Sequence, residues 1–231
     1  MTGVTDGAGV HHRERAAGDF STWTHVALGA VRGERAADVP CDGCTACCRA
    51  SQFVHIAPDE HDTLAHIPPA LLFPAPMMPR GHVVLGYDER GHCPMLVDDR
   101  CSIYAHRPRT CRAYDCRVLA AARIDADDDA DDAPKAELMR RVRSWRFDYA
   151  DTEARVRHDA VRAAARFLAA HAPELPDGSV PVNATQRAGL ALEIHEHFLA
   201  AGAGGGREVV EPAVAVVRAA LESLRTAPAR G

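Results

Sequence analysis

Apolar positions follow two rhythms along this chain, and the change between them divides it. Between residues 51 and 104 they come in short runs. SQFVHIAP at 51–58 alternates apolar and polar positions and predicts a strand that Pro58 ends. Asp59 or Thr63 then opens a short helix. IPPALLFPAPMMP at 67–79 carries five prolines and predicts irregular chain. HVVLGY at 82–87 predicts a strand and DERG the turn after it, and CPMLV and CSIY predict two short extended runs around Asp98-Asp99-Arg100. Pro108 suits the first turn of a helix running from about Arg109 to Ile124.

Beyond the acidic loop DADDDADDAP at 125–134 the spacing turns helical. Helices are predicted at about Lys135–Tyr149, Thr152–His171, Thr185–Ala200 and Pro212–Leu224, with PELPDGSVPVN and GAGGG as linkers. Before residue 39 periodicity is weak, with one helix around Phe20–Val31. The expected organisation is α+β: a flexible segment at 1–38, a small cysteine-rich domain with short strands and a helix at 39–124, the loop at 125–134, and a helical region at 135–231.

Composition narrows the function. The chain has 231 residues, 47% of them hydrophobic, which is enough for a real core, although much of that fraction is alanine and buries little surface per residue. A net charge of −5 recruits neither nucleic acid nor an anionic membrane. No run approaches a bilayer span and the first fifteen residues have no apolar segment of a secretory signal, so a cytoplasmic protein is expected, with thiols kept reduced. Clustered cysteines in that setting read as metal ligands and not as disulfides.

The cysteines carry the chemistry. All eight lie between 41 and 116: Cys41, Cys44, Cys47 and Cys48 as C-x2-C-x2-C-C, then Cys93, Cys101, Cys111 and Cys116. Four thiolates complete one tetrahedral zinc site or hold one four-iron cluster, so eight fit two centres or one binuclear centre. Were 41–48 helical, Cys41, Cys44 and Cys48 would share a face about 60° wide and Cys47 would point to a second centre. Cys93 and Cys101 flank a hairpin turn. Cys111 and Cys116 sit in the first turns of the helix after Pro108, where the helix dipole and Arg107, Arg109, Arg112 and Arg117 stabilise thiolates. All eight candidate ligands precede residue 124, so the cluster is expected to be self-contained.

The motifs Cys41-Asp-Gly-Cys44-Thr-Ala-Cys47-Cys48, Cys93-Pro94, Cys101-Ser-Ile-Tyr104 and Arg107-Pro108-x-x-Cys111-Arg112-x-Tyr114-x-Cys116, in that order, resemble the YkgJ-like cysteine-cluster family of zinc- or iron-chelating domains over residues 39–120. The resemblance implies metal chelation by the eight cysteines and a zinc/iron–sulfur oxidoreductase label without a defined reaction. A flagellin lysine N-methylase shares the domain, but no methyl-donor site can be matched here.

Other signals are weaker. Asp125, Asp127 and Asp129 mimic a calcium loop, but Ala130 and Ala136 replace its glycine and closing glutamate. His195 and His197, two residues apart, point in different directions on a helix. His55, His61, His66, His82 and His92 flank the cysteines in outer roles, and Tyr104 and Tyr114 read as core residues before sulfur donors. Two functions follow. One is an iron–sulfur protein, with four-iron clusters, in redox or methyl-transfer-type chemistry toward a protein partner or protein substrate. The other is a zinc-stapled interaction module without catalysis.

Overall fold

The computed structural model describes residues 14–37, 39, 43–124 and 133–226. Cys41 and the aspartates of the acidic loop lie outside the described residues. In chain order the elements are β1 (Arg15–Asp19), α1 (Phe20–Val31), β2 (Val54–Ile56), α2 (His61–Ala65), β3 (Leu72–Pro74), β4 (Val83–Leu85), β5 (Leu96–Val97), β6 (Arg100–Cys101), α3 (Arg109–Ala113), α4 (Arg117–Ala122), α5 (Ala133–Ser144), β7 (Trp145–Asp148), α6 (Thr152–Ala170), α7 (Ala184–Ile194), β8 (Leu199–Ala201), β9 (Arg207–Val209) and α8 (Val214–Thr226). The fold is α+β, with short strands and a cysteine-rich part.

Two apolar cores form. The smaller gathers Ile56, Ile67, Leu85, Met95 and Ile103 beneath the antiparallel sheet β2-β4-β3 and the β5–β6 hairpin. The proline-rich stretch, expected to be irregular, supplies β3: its Pro74 is tolerated because β3 is an edge strand and needs no second partner. The larger core joins α1 and α4 to α8 through residues such as Phe20, Leu119, Val142, Leu168, Leu192 and Val217. Alanines at 121, 160, 164, 188 and 191 are fully buried there, and their small side chains let α4, α6 and α7 approach closely.

Several expectations change with tertiary contact. The N-terminal segment is not a loose extension over its described part. Asp19 caps α1 by accepting from Thr22 N at 2.9 Å, and Phe20, Trp23 and Ala27 bury in the larger core. The helix expected to reach Tyr149 stops at Ser144, and β7 pairs in parallel with β1, Arg15 opposite Trp145. The helix expected to reach Ala200 ends at Ile194. A 3-10 turn at His195–Phe198 and the β8–β9 hairpin follow, so GAGGG is the hairpin's turn, closed by Gly202 N to Gly206 O at 2.7 Å. The helix expected at Arg109–Ile124 breaks into α3 and α4, because Tyr114 is extended (ψ 120°) and Asp115 turns inward.

Candidate metal centre

Residues 43–50 begin with Gly43 at φ +74°, a conformation that glycine adopts at little cost, and continue into a 3-10 turn at Ala46–Arg49. Over residues 43–48 the chain is therefore not α-helical, so the condition for Cys44 and Cys48 to share a helical face is not met. Ala46 and Ala50 bury on either side of Cys47 and Cys48 and anchor this turn in the larger core. Cys93 N donates to Cys48 O at 2.7 Å, which ties the first cysteine group to the second. Cys101 stands on β6 opposite Leu96. The hairpin turn places Asp98 and Asp99 at φ +47° and +57°, and Arg49 pairs with Asp99 across to the 46–49 turn.

Cys111 rides on α3 and Cys116 directly precedes α4. The break between them is built by a buried ion pair. Asp115 accepts from Arg117 N and from its guanidinium, and Oδ2 also accepts from Trp23 Nε1 at 2.8 Å. Arg117 reaches on to Ala17 O at 3.0 Å. Cys116 is thereby held in place, buried, and its Sγ accepts from Trp145 Nε1 at 3.2 Å.

These segments bring every described cysteine to one place. Cys44, Cys47, Cys48, Cys93, Cys101, Cys111 and Cys116 all line a single cavity of about 210 Å³. The sulfurs surround this space without crowding to one point. Among the described residues no three of them lie within 4.8 Å of one another. Arg107 and Arg112 join the lining, as expected of them, and Arg107 also stacks over Tyr104 at 3.7 Å. Arg109 instead pairs with Asp59, and Arg117 with Asp115. His55, His61, His66, His82 and His92 are not among the lining residues; His55 Nε2 and His82 Nδ1 lie 2.9 Å apart on the sheet. His195 is buried against Leu192 O, in the 3-10 turn that follows α7.

The wall is not confined to the cysteine segment. Leu138 and Arg141 of α5 line the cavity, and Arg141 stacks over the Trp145 ring at 4.6 Å. Sequence reasoning missed Arg141 and Trp145. Their only local signal is an arginine and a tryptophan four residues apart near the end of a helix.

Electrostatics distinguish the thiols. Cys47 is lowered to about 7 by the hydrogen bond it accepts from Cys48, against the effect of burial, with help from local N–H groups and Arg107. Cys48, which gives that bond, is pushed up, as are Cys44 and Cys93 by burial. Cys111 is pushed up to about 12 by desolvation and by its neighbours Cys47, Cys93 and Cys101, against the pull of Arg107. The neutral thiols are thus stable beside one another, and several can ionise together only if a cation compensates them. The Tyr114 hydroxyl is buried at the cavity without a hydrogen bond of good geometry, although Thr185 lies near enough to act on it, and burial pushes its pKa up. An orphaned hydroxyl in a thiol-lined space fits a bound group that offers it an acceptor.

No curated protein and no solved structure matches the chain significantly. Residues 40–135 do match one family model, CxxCxxCC, described as a putative zinc- or iron-chelating domain. The match runs from the first cysteine group through the start of α5, the helix that closes the cavity wall. Residues 40–135 of this chain are thus similar to the CxxCxxCC domain, described as a putative zinc- or iron-chelating domain, and their described cysteines line one cavity.

Proposed function

We propose that the cavity holds iron–sulfur, ligated from Cys41, Cys44, Cys47, Cys48, Cys93, Cys101, Cys111 and Cys116, and that the protein works in redox or methyl-transfer-type chemistry on a protein partner or substrate. The observation that carries this is the spread of the sulfurs around about 210 Å³. Four thiolates on one zinc ion at about 2.3 Å stand less than 4 Å apart, closer than any three of the described sulfurs. A cluster of several metal atoms fills a larger space and takes ligands that stand wider apart.

Such a cluster, when bound, gains and releases single electrons. The chain's own residues supply the rest. Arg107, Arg112 and Arg141 offset the residual negative charge of the thiolates. Trp145 holds Cys116 by an N–H to sulfur bond, and Tyr114 has a free hydroxyl to give. Phe53 and Tyr104 line the cavity while staying 64% and 65% exposed, which offers a partner an apolar edge beside the metal. Among the described residues no helix is long and apolar enough to cross a membrane, and metal ligation by thiolates suits the reducing cytoplasm.

Anaerobic purification followed by separate assays for iron, acid-labile sulfide and zinc tests this. Iron and sulfide at about eight of each per chain support two four-iron clusters, and about four of each support one. Stoichiometric zinc without sulfide overturns the proposal in favour of a zinc-stapled interaction module.

A further inference from the structure

A second group of ligand atoms lies outside the cysteine cavity. Asp62 and His66 are one helical turn apart, Asp62 in α2 and His66 at its C-cap, and His106 ends the 3-10 turn Tyr104–His106. His106 Nδ1 lies 2.8 Å from Asp62 Oδ2, and His66 Nδ1 lies 3.7 Å from Asp62 Oδ1. The two imidazoles stack face to face, 3.5 Å between centroids and 8° between planes. This is the one set of three such ligand atoms within 4.8 Å of one another among the described residues. None of the three residues lines the cysteine cavity.

The frame that holds them is ordered from beneath. Thr63 Oγ1 donates to His106 O at 2.9 Å. Buried Glu60 accepts from Ala57 N at 2.9 Å and from Arg109 N at 2.6 Å, which fixes the start of α2 against the start of α3. A divalent cation between them takes one carboxylate oxygen and one nitrogen from each neutral ring; to bind it the two rings leave their stack, and His66 turns away from Asp62 O, which its Nδ1 now meets at 2.7 Å.

We propose that Asp62, His66 and His106 form a second metal site, for a borderline divalent cation of the zinc or nickel class. Two nitrogens and one oxygen suit these ions, whereas calcium and magnesium require more oxygen ligands. Three protein ligands leave a coordination position for water. The ion clips α2 to the segment that leads through Arg107 to Cys111, and so braces the second cysteine group from outside. The inference does not depend on which metal fills the cysteine cavity.

The test is calorimetric titration of Zn2+ into the purified full-length protein in a non-chelating buffer, with the metal of the cysteine cavity assayed before and after. One additional Zn2+ per chain is expected, bound about tenfold or more weakly by Asp62→Asn and by His106→Gln. The neighbouring His61→Gln should bind as the wild type does. Added Zn2+ should raise the melting temperature of the wild type and not that of the two weakened variants. All three ligand side chains are partly exposed, so both variants should melt as the wild type does without added Zn2+. Equal Zn2+ affinity in wild type, Asp62→Asn and His106→Gln overturns the proposal, as does the absence of any binding beyond the cysteine cavity.

Discussion

Replacing Asp115 should unfold the protein from the centre of the metal site outward. Its carboxylate and the Arg117 guanidinium are 6% and 8% exposed and lie 2.8 Å apart, and Trp23 Nε1 shares the same oxygen. Asp115→Ala takes the carboxylate 2.8 Å from the buried Arg117 guanidinium away, and breaking a buried pair from one side costs about 3–5 kcal/mol in comparable sites. It also leaves the Trp23 N–H without its acceptor, which adds about 1 kcal/mol or more. A loss of about 4–6 kcal/mol is a large share of the roughly 5–15 kcal/mol that keeps a domain folded. Asp115→Asn keeps an acceptor for Trp23 and should lose about 3 kcal/mol. The double variant Asp115→Leu/Arg117→Met removes both charges and should cost less than Asp115→Ala alone. Urea unfolding followed by far-UV circular dichroism, at fixed metal concentration, measures each value. Cys116 lies between the two residues, so the metal content of Asp115→Ala should fall as well. A loss under 1 kcal/mol for Asp115→Ala, or a double variant less stable than it, would refute the reasoning.

Other outcomes can be checked alongside. His158 is buried between Phe20 and α4, with Nε2 3.1 Å from Ala121 O, and desolvation lowers its pKa from 6.5 to about 4. Its folded pKa lies below the unfolded one, so its contribution is fully present above about pH 6.5 and is lost as pH falls toward 4, by up to about 3 kcal/mol; His158→Gln should flatten that slope in pH-dependent unfolding. Chelation under reducing conditions should lower the melting temperature sharply, since the smaller core has five buried apolar residues among the described ones and metal binding supplies folding energy; an unchanged melting curve after verified metal removal would contradict this. Truncation after residue 124 removes Leu138, Arg141 and Trp145 from the site, and the fragment should retain less metal than the full chain by elemental analysis. Tyr114→Phe removes a buried hydroxyl without a partner, so the metal-free protein should gain about 1 kcal/mol, while a shift in the midpoint potential of the loaded protein would report a hydroxyl bond to cluster sulfur.

Much of the site was legible in residue order because metal ligation leaves a local mark. Eight cysteines confined to 41–116 at close spacings pointed to one chelating region, and the described ones line one cavity. Local patterning also located elements whose burial has a simple period. The helix expected around Phe20–Val31 is α1 with those ends, and the run HVVLGY contains β4 at Val83–Leu85. Periodicity reports which positions are buried, not what they are buried against, and that is where tertiary structure decided. Asp115 breaks the expected helix because its partner Trp23 is 92 residues away. Trp145 leaves helical geometry because β1 offers it a parallel strand from the other end of the chain, and from there its indole reaches Cys116. Arg141 counts as part of the site only once α5 packs over the 46–49 turn. Asp62, His66 and His106 meet across 44 residues, a distance no local pattern spans. Ligand identity is a property of residue type and spacing, whereas the enclosure, hydrogen bonds and charge around the ligands come from side chains that only the folded chain brings together.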